Sequence, residues 1–251
     1  MPIASSTNMG NERGVGGRTV RNTILLAMPE LEFEALEPYL ELVPFNFGMT
    51  LELPHEALHA AYFINRGIVS KIVEMEDGRS VEVGIAGREH MVGVQLAVGL
   101  EDLLYSLIVQ VPGEGFRLSV PSLKWALRTL PELNRILSRR LGIQSVQFAR
   151  NAACNRLHNV KQRLARWLLM TFDRLDSDTF YTTHDFLSKM VGSDRPSVSI
   201  VLSELQRAEI ILVGRGSISM VSRALLEEQS CECYAVFEHF NDELGLAPKP
   251  R

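Results

Sequence analysis

Three groups of residues in this sequence have types and spacings that could do chemistry. His55-Glu56-Ala57-Leu58-His59 spells HExxH, which on a helix sets two imidazoles one turn apart for zinc with a glutamate beside them as general base. Around residue 200, Arg195, Ser199, Ile200, Ser203 and Arg207 gather on one side of a short segment, with Ser197 at its edge, and arginines and small hydroxyls bond bases and phosphates. Cys231 and Cys233, spaced C-x-C, could bind metal or sense redox; a structural or incidental role is the favoured reading, with no metal assigned.

The HExxH pattern fails on context. The extended form H-E-x-x-H-x-x-G-x-x-H breaks at Tyr62 and Asn65. The following residues, "HAAYFINRG", read as a strand entered through a loop. In an extended chain, four residues separate His55 from His59 by about 13 Å, too far to share one zinc. A zinc-dependent hydrolase on His55, Glu56 and His59 therefore stands as the alternative, and no catalytic residue is assigned. His90 is an isolated haem-ligand candidate with nothing around it in the sequence to raise it.

The bulk numbers bound the setting. With 251 residues, 46% hydrophobic and 22% charged, the chain has material for one large or two ordinary domains. No window reaches the roughly 18 apolar residues of a membrane span, and the N-terminus lacks the apolar core of a secretory signal. Three cysteines suit a reducing cytoplasm, the expected location. The net charge of −4 is unevenly spread: residues 1–120 carry −8, residues 121–220 carry +7, and the remainder −3. A basic segment inside an acidic chain points to a polyanion partner for that segment alone.

The elements that must position these residues follow from periodicity. Residues 1–20 are Gly-, Ser- and Asn-rich and are expected to be disordered; "GVGG" lacks the strand and Gly-Lys-Ser/Thr of a phosphate loop. One or two short helices are expected from Asn22 to about Val43. From about 44 to 120 the pattern is that of strands, with Asp77-Gly78 a hairpin turn and two strands expected around Pro112-Gly113. Thr129 and Glu132 make a T-x-x-E capping signature ahead of a long helix, and Asn159 with Gln162 marks a second start near His158. Within the long helix Ile136, Ile143, Val146, Ala153 and Leu157 belong to a heptad stripe, expected to be a homodimer seam.

Residues 182–221 read as helix, tight turn, helix and hairpin. Thr182 or Thr183 caps the first helix, Gly192 ends it, Asp194 caps the second, and Pro196 sits in its first turn. Val198, Val201, Leu202 and Leu205 form its buried stripe. A helix whose outer N-terminal face holds Arg195 and serines can enter a DNA major groove, with Arg215 at a wing tip on the phosphate backbone.

At this point the chain, from about 40 to 235, resembles the Crp/Fnr family of bacterial transcription regulators. "YFINRG" is similar to a family strand, and "VGSDRPSVSIVLSELQRAEII" to its recognition element. "SCECY", 230–234, resembles a tail seen in one branch of the family. The resemblance implies an α+β chain with an N-terminal antiparallel, jelly-roll-like β-roll, a long dimerisation helix and a C-terminal winged helix-turn-helix. It implies boundaries at 21–130 for the β-roll, 131–158 for the dimerisation helix, 159–230 for the DNA-binding domain and 231–251 for a tail.

The implied partners are double-stranded DNA, a second copy of the chain and RNA polymerase, with no membrane. Thr183, His184, Arg195, Pro196, Ser197, Ser199, Ser203 and Arg215 are the expected DNA-binding residues. Pro196 stands where the cyclic-AMP receptor has a base-reading glutamate, so a different operator is expected, and Glu209 replaces the usual glycine after the recognition helix.

The effector region departs furthest from the family. The family's phosphate cassette is Gly-Glu-Leu followed by Arg-Ser, whereas here Gly93, Val94, Gln95 and then Tyr105, Ser106 occupy the candidate pocket. Without the arginine a cyclic phosphate loses a charge-assisted bond of roughly 1.5–3 kcal/mol. Cyclic AMP is therefore not the expected ligand. The N-terminal cysteine cluster of iron–sulfur members is also absent from the sequence, and no cofactor is assigned. A ligand-binding module that does not touch DNA is a further alternative.

Overall fold

A computed structural model describes residues 13–237. The chain opens with a two-stranded hairpin, β1 (Gly14–Val15) and β2 (Arg18–Thr19). This corrects the expectation of disorder for residues 13–20, while 1–12 lie outside the described residues. Gly16 and Gly17 both have positive φ, as a two-residue hairpin turn needs, and Val15 and Val20 are buried. Two short helices follow, α1 (Thr23–Ala27) and α2 (Glu30–Leu36). Asn22 anchors this arm: its Oδ1 accepts from Ile24 and Leu25 amides, and its Nδ2 donates to the carbonyls of Ile64 and His90.

The β-roll contains β3 (Glu41–Phe45), β4 (Thr50–Glu52), β5 (Ala60–Glu74), β6 (Ser80–Ala86), β7 (Met91–Val92) and β8 (Ser106–Ser119). Pairing is antiparallel in the order β3-β8-β5-β6, with β4 on β8 and β7 on β5. The Asp77-Gly78 turn joins β5 to β6, with Gly78 at φ 81°. One expectation fails: the chain around Pro112-Gly113 is one continuous strand. The ladder skips Pro112, pairing Arg66 with Glu114 and Ile68 with Val111, so the missing N–H falls in a bulge. Gly67, at φ 88°, faces that bulge, and a Cβ on Gly113 would lie 2.2 Å from the Arg66 carbonyl oxygen.

Helix α3 (Val120–Thr129) leads into the 27-residue α4 (Pro131–Leu157). The expected T-x-x-E cap does not form. Thr129 closes α3, its hydroxyl donating to the Trp125 carbonyl, and Leu130 is the first cap residue of α4. Instead the Glu32 carboxylate of α2 accepts from the free amides of Glu132 and Leu133, putting an anion on the positive end of the long helix. At its far end α4 breaks at His158, and Asn159 with Gln162 forms a full capping box for α5 (Val160–Phe172).

The C-terminal domain continues with β9 (Thr179–Tyr181), α6 (His184–Val191), α7 (Arg195–Arg207), β10 (Ile211–Gly214), β11 (Ser217–Met220) and α8 (Arg223–Gln229). The wing has three strands, β10-β11-β9; sequence reasoning found two, because β9 is short and one of its three residues is buried. Cys231–Phe237 packs back onto the domain, with Cys231, Cys233, Tyr234 and Phe237 buried. The expected tail is in this stretch part of the core.

Two hydrophobic cores result. One fills the β-roll and takes Leu133 and Leu137 from α4. The other gathers α5, α6, α7 and α8 around Trp167 and Leu202, and recruits Ile68, Ile72 and Ile85 from the sheet. The seam between the two domains also buries charge. Arg174 donates to Glu89 at 2.7 Å with both side chains nearly inaccessible, and Trp167 Nε1 donates to Glu82 at 3.1 Å. Lys71 Nζ donates to Gln144. Burial lowers Lys71 to about 7 and raises Glu82 to about 7. Burial would also raise Glu89, but the Arg174 guanidinium overrides it and holds the carboxyl down at about 2.

Candidate DNA-binding face and effector region

The local sequence of residues 182–220 explains how a rigid, polar face forms. Thr183 Oγ1 accepts from the Phe186 amide and caps α6, and Gly192 at φ 58° turns the chain. Asp194 accepts from the Ser197 amide at 2.8 Å and caps α7. Val198, Val201, Leu202 and Leu205 are buried, so the orientation of α7 is fixed by its apolar stripe. Its C-terminus has Schellman pairing: Ile210 N–H donates to Leu205 and Glu209 N–H to Gln206. That motif puts Glu209 at φ 56°, the glycine position, with a non-glycine residue in it.

What remains outside is the face singled out above. Arg195 is two-thirds exposed; its Nε stands 3.3 Å from Asp185 of α6, an ion pair open to water. Pro196, Ile200, Ser203 and Arg207 are exposed. Ser199 is half-buried: its hydroxyl donates to the Arg195 carbonyl, and His184 Nδ1 lies 2.8 Å from the Ser199 Oγ. Ser203 likewise donates to Ser199's carbonyl. Both serines thus turn lone pairs outward and must rotate before they can donate to a phosphate.

Two expected contacts have other work. The Ser197 hydroxyl donates to the Asp194 carboxylate and the Thr183 hydroxyl is taken by its cap, so both residues shape the face from its edge. Arg215 stands exposed in the wing turn beside Gly216. A cleft of about 280 Å³ runs between Arg195, the start of α6 and the wing residues Val213–Ile218.

Residues 162–229 match the Crp-like helix-turn-helix domain family, over the same helices and wing. The chain thus carries a Crp-like helix-turn-helix domain over this stretch. The global nitrogen regulator of Synechococcus elongatus is 22% identical to this chain over 218 residues, covering 83% of this chain and 97% of that protein. In fold, the chain is similar to a Crp/Fnr-family transcriptional regulator from Eubacterium rectale, with TM-score 0.65 and 11% identity over 83% of this chain and 98% of that one. It is also similar to the c-di-GMP-responsive global regulator CLP of Xanthomonas campestris, with TM-score 0.63 and 17% identity over 77% and 100%. Among the described residues, no helix is long and apolar enough to cross a membrane.

In the candidate effector region the side chains that follow Gly93 turn inward. Gly93 and Gly99, both left-handed, bracket a 3₁₀ turn, Val94–Val98, whose Val94, Gln95 and Leu96 are buried. Gln95 has no hydrogen-bond partner for either end of its amide. Ser106 opens β8, and Tyr105 packs edge-on against Phe148 of α4 at 6.0 Å. Leu104, which precedes Tyr105, is exposed.

The heptad residues divide. Ile143 is buried and Ile136 half-buried against the chain's own core, whereas Val146, Ala153 and Leu157 face outward. The HExxH residues do not converge on a metal. His55 sits in a loop at φ 62° and is exposed; His59 pairs through Nδ1 with the buried carboxylate of Glu52 at 3.1 Å. His90 is buried and its pKa is driven well below the usual range by desolvation. The structure instead brings Cys231 and Cys233 to Cys154 and His158, which sequence reasoning did not connect because 73 residues separate His158 from Cys231.

Proposed function

We propose that this chain acts as a Crp/Fnr-type regulator of transcription and works as a homodimer, each copy laying α7 in one of two major grooves of a two-fold-related site. The observation that carries this is the outer N-terminal face of α7. Its exposed Arg195 stands at the first helical turn, flanked by Ser199 and Ser203 and backed by a fixed apolar stripe. Arginine there can bond guanine O6 and N7, His184 can orient Ser199, and Arg215 can take a phosphate from the wing. Exposed Gly142, Val146, Ala149, Ala153 and Leu157 supply a face of α4 for the second copy. RNA polymerase is the partner that a regulator bound beside a promoter would meet.

Cyclic AMP is not the ligand in this reading. Support comes from the buried Val94 and Gln95, the absence of a cation at Tyr105–Ser106 and the packing of Tyr105 against α4. Selection of genomic fragments by full-length protein at low salt tests the whole reading. The expected outcome is a two-fold-related sequence bound by a dimer, with affinity falling steeply as salt rises. Indifference to all fragments at low salt would overturn it. Micromolar affinity for cyclic AMP by calorimetry would overturn the ligand assignment alone.

A further inference from the structure

Four ligand-bearing side chains that DNA recognition does not use meet where α4 ends. Cys154 and His158 stand at i and i+4 at the C-terminal end of that helix; Cys231 and Cys233 arrive from the turn after α8. The Cys154 and Cys231 sulfurs are 3.6 Å apart, and the Cys233 sulfur is 3.8 Å from His158 Nδ1. All four ligand atoms lie within 4.8 Å of one another. Bonds of about 2.3 Å to sulfur and 2.0 Å to nitrogen give a tetrahedral zinc site ligand–ligand edges of about 3.5–3.8 Å. The two shortest spacings already have that length.

The outer contacts suit an ion as well. His158 turns Nδ1 to the cysteines and sets Nε2 3.1 Å from the carboxylate of Glu232, the residue between the two tail cysteines. A carboxylate on the far nitrogen fixes the tautomer in which Nδ1 offers its lone pair to a metal. Three arginines surround the sulfurs electrostatically: Arg163 and Arg166 act on Cys154, and Arg150 on Cys233. The buried Nε of each has no hydrogen-bond partner. Cationic surroundings are what three thiolates around a divalent ion, net −1, require.

We propose that Cys154, His158, Cys231 and Cys233 bind one zinc ion as a structural site that clamps the C-terminal segment onto the end of the long helix. Binding displaces the three thiol protons, and the fourth ligand is neutral imidazole, so the coordination shell is closed and the site does no chemistry on substrates. Soft thiolates in a tetrahedral set select zinc over magnesium or calcium. The clamp joins the last turn of α4 to the segment following α8, the two ends of the DNA-binding domain.

The test uses full-length protein purified under reducing conditions without chelator. Elemental analysis is expected to find about one zinc per chain, lost in Cys233→Ser. Cobalt(II) added to the zinc-stripped wild type should give the intense visible bands of a tetrahedral thiolate site. Glu232→Gln, which keeps every ligand, should weaken zinc affinity about 10–100-fold. That change separates a metal-orienting carboxylate from a mere surface ion pair. The wild-type cobalt spectrum decides the matter even if the cysteine variant fails to fold. A weak octahedral cobalt spectrum, a Cys154–Cys231 disulfide in the reduced preparation, or stoichiometric iron with acid-labile sulfide would each overturn the proposal.

Discussion

The outer face of α7 and the seam between the two domains use charge in opposite ways. On α7, Arg195 is open to water and lightly held by an equally open Asp185, a pairing worth about 0–1 kcal/mol. In the seam, Glu89 and Arg174 are almost wholly buried and bonded at 2.7 Å. A cation that must exchange one partner for another is kept exposed; charges that fix two domains together are kept dry, where losing a partner is costly. The contrast separates the residues proposed to read DNA from those that hold the two domains together.

The seam should give way hardest. Glu89→Ala removes the buried carboxylate that Arg174 Nε donates to and is expected to cost about 3–5 kcal/mol in urea unfolding. Adding Arg174→Met should recover a large part of that loss, which a simple cavity at residue 89 would not allow. On the exposed face, Arg195→Ala should leave stability unchanged. It should remove about 1–3 kcal/mol of discrimination at one base pair per half-site, measured by competition binding.

Acid–base behaviour sharpens the same comparison. Lys71, lowered to about 7 by burial, is neutral in the fold above that pH, while the unfolded chain keeps the proton up to the ordinary lysine range near 10.5. Between those values the unfolded state binds more protons, so stability rises with pH, by at most about 1.4 kcal/mol per unit. Glu82, raised to about 7, acts oppositely: from about 4.5 to 7 the folded state holds the extra proton and stability falls. Melting temperature should therefore pass through a minimum near neutrality, and Lys71→Met should flatten the alkaline limb. An alkaline rise that survives in Lys71→Met would remove this lysine from the account.

The smallest effect belongs to Glu209, left-handed in the cap of α7. Glu209→Gly should stabilise by about 1 kcal/mol without altering DNA affinity, because glycine meets no Cβ penalty there.

The outer face of α7 was legible because local rules build it. Thr183, Gly192 and Asp194 are caps whose chemistry acts within four residues, and the buried stripe of α7 repeats at helical spacing. The oddity of Glu209 was visible for the same reason. The seam was not legible: nothing near Glu89 announces Arg174, which lies 85 residues away. The same distance effect hid the Glu32 cap on α4 and the meeting of Cys154 with Cys231. Pro112-Gly113 misled because a bulge within a strand uses the same residues as a turn. His55 and His59 misled because their spacing means one thing on a helix and another in a loop.

The bond from Trp167 to Glu82 gives the molecule a built-in optical reporter. The chain has two tryptophans, and Trp125 packs at a tilt against Tyr39, ring centroids 4.9 Å apart, on the β-roll core. Trp167 alone lies where the two domains meet, its indole almost dry. In a Trp125→Phe background all the tryptophan emission comes from the seam. A red shift would then register water reaching Glu82, with no label attached.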